Sequence, residues 1–113
     1  MSRSHVHIAA GICGFETTMV AQSDADQAVT FQITSGCSKI QALAMAITGL
    51  GPVDAVAEID ARKTGVLTST MRNGLSGCCS GCAVPVGIFK SMQVSAGLAL
   101  PRDIHIAVSL GET

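Results

Sequence analysis

The sequence predicts an α+β domain, in which helices cover one face of a mostly antiparallel sheet of about four strands. Two observations lead to this fold class. Apolar and polar residues alternate near both ends of the chain, which is typical of strands with one buried face. Between these regions the apolar residues recur with the period of amphipathic helices. The resulting order of three strands, three or four helices and a last strand contains no linker or repeat, so residues 1–113 are expected to form one domain.

The N-terminal third of the chain predicts a three-strand meander. In the first strand Val6 and Ile8 alternate with His5 and His7, and a glycine-flanked turn around Cys13 ends it. A second strand is expected over about residues 17–22. A turn at 23–26 then leads to a third strand, in which Val29 and two further apolar residues alternate with polar ones.

The middle of the chain predicts helices of different lengths. Ile40, Leu43, Ala44 and Ile47 form one apolar stripe, with Ser38 as the expected N-cap. Pro52 is expected to open a second, short helix that contains Val53. A third segment covers about 66–72. The longest helix is expected over about 86–96, after Pro85 and before Gly97.

A final strand is predicted near the C-terminus. Ile104, Ile106, Val108 and Leu110 alternate with His105, Ala107 and Ser109, after a turn at 101–103. This strand is expected to complete the sheet. A sheet covered on one face leaves an open face and edge strands, which favours a homo-oligomer.

Composition excludes several classes of protein. Hydrophobic residues make up 48% of the chain and charged residues 13%, which fits a buried core and not a disordered chain. The net charge is −1 without basic clusters, and there are no Trp or Tyr residues, so a nucleic-acid groove is not expected. The longest apolar stretch is interrupted by polar residues, which indicates a core helix and no membrane span. Without an export signal, a cytoplasmic location is expected.

The five cysteines are the residues that most clearly indicate a chemical function. Cys79 and Cys82 form a C-x-x-C pair, a spacing that lets two thiolates reach one metal ion. Cys13, Cys37 and Cys82 lie at the ends of predicted elements, where free backbone N–H groups favour the thiolate form. If these ends converge, Cys13, Cys37, Cys82 and one of Cys78 or Cys79 would bind zinc or an iron–sulfur cluster.

Two other interpretations of the cysteines stay open. Cys79 and Cys82 could exchange electrons as a dithiol in a redox protein. Alternatively, the cysteines are small buried residues of a structural or assembly module, because free cysteine is among the most buried residue types. No catalytic residues can be named from the sequence, since no Ser–His–Asp order, phosphate-binding loop or acid–base pair stands out, and enzymatic activity is left open.

The histidines suggest a rival site. His5 and His7 share one face of the first predicted strand, and His105 lies on the polar face of the last. If these strands were neighbours, three imidazoles could bind a zinc ion. Solvated side chains on an open sheet face are the simpler interpretation.

Four motifs, GICGF, TSGCSKI, CAVPVGIFK and AGLALPRDI, occur in this order along nearly the whole chain. In this combination the chain resembles a family of small uncharacterised proteins, mainly from anaerobic bacteria and methanogenic archaea. In that family the third motif usually reads C-P-V-P, with a histidine a few residues upstream, whereas here Ala83 replaces the first proline and Cys78 and Cys79 lie upstream.

The resemblance implies that Cys13, Cys37 and Cys82 are important, and an anaerobic source favours an iron–sulfur cluster over zinc. More distantly, the glycine–cysteine pair at a helix start and the cysteine-rich turn before the last helix look like iron–sulfur scaffold proteins of the NifU type. The same pattern also looks like the small TSCPD domain. A cluster carrier of this kind would need a protein partner to receive the cluster.

Overall fold

The computed structural model of the chain confirms the α+β class. It describes residues 2–60, 62 and 64–111, and for Cys78 the backbone alone. No helix in this part of the chain is long and apolar enough to cross a membrane. The strands are β1 (Ser2–Ala9), β2 (Glu16–Ser23), β3 (Ala28–Ser35) and β4 (Val53–Asp54). The helices are α1 (Ser38–Gly49), α2 (Ala55–Ile59), α3 (Val66–Gly74) and α4 (Val84–Ser95), and a 3-10 turn, Gly77–Gly81, precedes α4.

The sheet is antiparallel throughout, in the order β1-β2-β3-β4, and its three long strands form the predicted meander. Ile8 lies opposite Thr17, and Thr17 lies opposite Ser35, so these three residues form a row across one end of the sheet. Because side chains alternate along each strand, one face carries apolar residues such as Met19 towards the helices, and the other exposes polar residues such as His7.

The helices pack on a single face of the sheet. Helix α4 runs antiparallel to β1, because Ser91 contacts Ser4 while Gly87, one turn nearer the start of α4, lies against Ile8. Helix α1 packs on β3 and also contacts α3. Ile88 of α4 is fully buried, as are Leu43 and Ile47 of α1. The core is therefore aliphatic, as the scarcity of aromatic residues indicates.

Three helix starts differ from the sequence-based predictions. Helix α4 begins at Val84, two residues earlier than predicted, and includes Pro85 in its first turn. The N-cap of α1 is Cys37, one residue before Ser38. Val53 lies in strand β4, opposite Val29, and not in a helix that begins at Pro52. Helix α2 begins only after Asp54, because the carboxylate of Asp54 accepts the free backbone N–H groups of Val56 and Ala57 at 3.0 and 3.2 Å.

The predicted C-terminal strand is absent from the sheet, and β4 is the fourth strand instead. Residues 100–111, which we call the C-terminal arm, have no regular secondary structure, and all their side chains are exposed. The prediction was wrong because alternation shows which side chains would share a face, but a strand also needs a neighbouring backbone to pair with.

Candidate functional site

Three cysteine-bearing segments lie at the same end of the sheet. The row of Ile8, Thr17 and Ser35 marks this end. The β1–β2 loop carries Cys13, the β3–α1 junction carries Cys37, and the turn before α4 carries Cys79 and Cys82. The turn joins this end because Gly87, in the first turn of α4, lies against Ile8. We call this region, residues 10–15, 36–37 and 77–83, the cysteine end.

Cys13 lies at the tip of the β1–β2 hairpin. The backbone N–H of Gly14 donates to the Gly11 carbonyl oxygen at 2.9 Å, which closes a tight turn around Ile12 and Cys13. Gly11 and Gly14 have φ angles of +87° and +74°, which side chains disfavour, so the glycines of the GICGF motif are required by this turn. The turn leaves the Cys13 thiol exposed, with the Ala10 carbonyl oxygen 3.9 Å from Sγ.

Cys37 is positioned by a chain of hydrogen bonds from the sheet. Thr17 Oγ1 donates to Ser35 Oγ at 2.8 Å, and Ser35 Oγ accepts the backbone N–H of Cys37 at 3.1 Å. The carbonyl oxygen of Cys37 then accepts the N–H of Gln41 at 2.9 Å and starts α1. Cys37 is half-buried against the core. Sequence reasoning missed the role of Ser35, although a serine two residues before a helix N-cap is a recognisable signal.

Phe15 connects the hairpin loop to the β3–α1 junction. A side chain at Gly36 would lie 3.2 Å from the Phe15 ring, so the ring packs directly on this glycine. Cys13 precedes Phe15 by two residues and Cys37 follows Gly36 by one. The contact therefore makes neighbours of the loops that carry the two cysteines, a relationship that the sequence pattern did not indicate.

Cys79 and Cys82 lie one 3-10 turn apart. The backbone N–H of Cys82 donates to the Cys79 carbonyl oxygen at 3.1 Å, and residues three apart in such a turn lie on the same side. Both side chains are half-buried against the core. The sulfur of Cys82 also accepts the backbone N–H of Val84, the first residue of α4, at 3.5 Å. Pro85 is the second residue of α4 and has no N–H to offer, whereas the sequence predicted that the helix begins only after it.

The described cysteines lie at the same end of the sheet, but they do not form a preassembled metal site. Among residues whose side chains the structure describes, no three His, Cys, Asp or Glu residues are close enough together to hold a metal ion. Cys13, Cys37, Cys79 and Cys82 are free thiols. The interpretation that the cysteines are simply buried fails at Cys13, which is exposed. The side chain of Cys78, the alternative ligand, lies outside the described part of the chain.

The three histidines are not brought together. His5 and His7 lie on the open face of β1 as predicted, and His7 Nε2 is 2.6 Å from Glu16 Oε1 on β2, an exposed pair that the sequence reasoning missed. His105 lies in the C-terminal arm and not in a neighbouring strand. Within one chain, the rival histidine site is therefore not assembled.

The chain belongs to the family of unknown function DUF6951, whose model matches residues 4–108. The match covers β1 from Ser4 onwards, the other three strands, the four helices and most of the arm. Neither the curated proteins nor the solved structures show a significant match to the chain. Family membership thus assigns no activity, and a function has to be argued from the cysteine end itself.

Proposed function

We propose that this member of the family binds a metal ion or an iron–sulfur cluster at the cysteine end. Cys13, Cys37, Cys82 and one of Cys78 or Cys79 would be the ligands. The observation that supports the proposal most is that three separate cysteine-bearing segments lie at one end of the sheet, where a contact between Phe15 and Gly36 joins the segments of Cys13 and Cys37.

The donor atoms fit such a group. The four described cysteines are free thiols, and thiolates are the ligands that zinc and iron–sulfur clusters prefer. Cys37 is the N-cap of α1, and Cys82 lies two residues before Val84, the first residue of α4. The N–H of Val84 already donates to the Cys82 sulfur, which is the kind of hydrogen bond that tunes a metal-bound thiolate.

The ligands differ in how much they have to move. Cys37 and Cys82 are held on the core, whereas Cys13 is on an exposed hairpin tip. Binding would therefore draw the tip towards the helix starts, and Cys13 would be the last ligand to join. Bound zinc would supply a structural cross-link between these segments. A bound cluster would supply electron transfer or a cargo for a protein partner. A reducing compartment such as the cytoplasm would keep the thiols free for either role.

Metal analysis of the full chain after anaerobic purification tests the proposal. The expected result is about one zinc ion per chain, or iron with matching acid-labile sulfide and visible absorption from thiolate-to-iron charge transfer. Cys37→Ser and Cys82→Ser should each lower the metal content strongly, and Cys13→Ser should lower the affinity. Cys78→Ser and Cys79→Ser, compared with each other, would identify the remaining ligand.

The control is Ser80→Ala, an exposed change in the same 3-10 turn that removes no sulfur and should leave the metal content unchanged. Colourless protein without zinc or iron and with all five thiols free would reject the proposal. A metal content that survives both Cys37→Ser and Cys82→Ser would reject this set of ligands.

A dithiol redox function is the second candidate, and one observation favours it. The hydrogen bond from Cys82 N–H to the Cys79 carbonyl oxygen holds the two residues one turn apart. In such a function the pair would reduce a substrate disulfide by thiol–disulfide exchange, passing on two electrons and two protons as a Cys79–Cys82 disulfide forms. Alkylation and mass analysis after equilibration in glutathione buffers would reveal that disulfide. If both thiols stay reduced at oxidising ratios, this candidate is excluded.

A further inference from the structure

We propose that the C-terminal arm of one chain pairs as an additional strand with the free edge of β1 in a second copy of the chain, in a reciprocal exchange that forms a dimer. The proposal concerns a different part of the molecule from the cysteine end and does not depend on metal binding. It rests on three features, which are the arm, the edge of β1 and the hinge between α4 and the arm.

The arm has the pattern of a strand but no strand partner among the residues that the structure describes. Ile104, Ile106, Val108 and Leu110 alternate with polar or small residues, so they share one face when the backbone is extended. All of them are exposed, Val108 by 90% and Leu110 by 101% of its full surface. A row of four large aliphatic side chains in water is costly, because each of them could be buried against another apolar surface. The arm therefore has a strong tendency to pair with another surface.

The edge of β1 offers a matching template. In the described part of the chain β1 pairs only with β2, and the pairing runs from Ser2 to Ala9 without a bulge or a proline. About half of these eight residues direct their N–H and C=O groups to the free edge. The arm also contains no proline after Pro101, so residues 103–110 can make the same number of hydrogen bonds. Both segments are eight residues long.

The side chains of the two segments also match. Val6 and Ile8 on the helix-facing side of β1 are only partly buried, since no strand lies beyond them. A paired arm would extend this side with its isoleucines, valine and leucine. Its other face would place Asp103 and His105 on the open face of the sheet, where β1 carries Arg3, His5 and His7. Pairing in this orientation buries apolar groups and leaves the polar groups in water.

The hinge directs the arm away from its own chain. At the end of α4, Leu98 N–H donates to the Gln93 carbonyl oxygen at 2.8 Å and Gly97 N–H donates to that of Val94 at 3.1 Å. With Gly97 at φ +76°, these bonds form a Schellman motif, which fixes the direction of the chain after the helix. Pro101 then holds Leu100 in an extended conformation. These features stiffen the connection between α4 and the arm.

A second copy is the occupant that the structure favours. The chain carries both an unpaired strand and an unpaired edge of the same length, so two copies satisfy each other in a closed two-fold assembly. The molecule is 49 Å long but only 28 by 27 Å across, with a radius of gyration of 14.2 Å against about 13 Å for a compact chain of this length. An eight-residue strand spans about 26 Å, which is long enough to cover the edge of β1. The arm up to Val108 also lies within the family match, so it is part of the common domain.

The mass of the full chain in solution tests the exchange. Light scattering after gel filtration should give twice the 11.5 kDa of the chain at micromolar concentration. The double variant Ile106→Lys/Val108→Lys should shift the equilibrium towards the monomer by at least tenfold in the dissociation constant. All side chains of the arm are exposed, so this variant should keep its fold by circular dichroism. Met45→Lys, on an exposed apolar residue of α1, is the matched control and should stay dimeric.

Hydrogen exchange identifies the surface that pairs. The edge amides of β1 should be protected in the wild-type dimer and become unprotected in the double lysine variant. A monomeric wild-type chain would overturn the proposal, whether or not its β1 edge is protected, because protection in a monomer means that the arm returns to its own sheet. A dimer that the lysines leave intact would also overturn it, since the copies would then meet elsewhere.

Discussion

Ser4 of β1 donates a hydrogen bond from Oγ to the carbonyl oxygen of Ser91 in α4, at 2.7 Å, and both residues are buried. This contact ties the edge strand of the sheet to the middle of α4, across 87 residues of sequence. The position of α4 also fixes where Cys82, two residues before the helix, and the chain that leads to the arm after it are placed. The packing of α4 on β1 therefore links the cysteine end to the proposed exchange surface.

Ser4→Ala should lower the free energy of unfolding by about 1 kcal/mol, because the hydrogen bond to Ser91 is lost at a buried site. Ser2→Ala, an exposed change in the same strand, is the control and should have little effect. Urea unfolding followed by circular dichroism measures both. Equal stability of the Ser4→Ala variant and the wild type would mean that the contact contributes nothing to the packing of α4.

Gly87→Ala should destabilise the fold although alanine is the better helix former. A Cβ atom at Gly87 would collide with the Cδ1 atom of Ile8 and come within 3.4 Å of a Val6 methyl group. The expected loss is about 1–3 kcal/mol, as for other overpacked cores. Gly49→Ala in α1 is the matched control, because nothing lies within 4 Å of its Cβ position.

A double variant separates this collision from other effects of Gly87→Ala. Ile8→Val removes the Cδ1 atom, so Gly87→Ala should cost less in the Ile8→Val background than in the wild type. Thermal unfolding of the four proteins gives the interaction energy. If the losses in unfolding free energy of the two single variants simply add in the double variant, the contact between Gly87 and Ile8 does not explain why α4 has a glycine at this position.

Asp60 should titrate below its ordinary pKa of 3.8. Hydrogen bonds from the side chain of Arg62, at 3.1 and 2.9 Å, and then from its backbone N–H hold the pKa of the Asp60 carboxyl down. The folded state therefore gains stability from this pair at pH values above the pKa of the unfolded chain. That gain is lost as the pH falls through the lower folded value. The effect on stability should be small, because the pair is exposed.

An NMR titration of the Asp60 carboxyl carbon measures the shift directly. Arg62→Gln should return the midpoint towards 3.8, because the strongest of the hydrogen bonds is lost. A wild-type midpoint at or above 3.8, or one that Arg62→Gln does not change, would contradict the role of Arg62.

At the cysteine end, the sequence pattern predicted the local position of each cysteine but not which segments lie next to each other. Glycine-flanked cysteines at element ends are visible as local signals, and the structure does put Cys13, Cys37 and Cys82 at a hairpin tip, a helix N-cap and a helix start. Local signals carry no distances between segments. The packing of Phe15 on Gly36, which makes two of the loops neighbours, depends on the register of β1, β2 and β3 and could not be derived from spacing.

By itself, the sequence determined the α+β class, the three-strand meander and the apolar stripes of the helices, because side-chain period and turn residues act locally. Only the tertiary structure decided which backbones pair. It placed Val53 and Asp54 beside β3 as the fourth strand and left Ile104 to Leu110 without a partner. The physical reason is that alternation describes one segment, whereas a strand exists only when its N–H and C=O groups meet those of a neighbour.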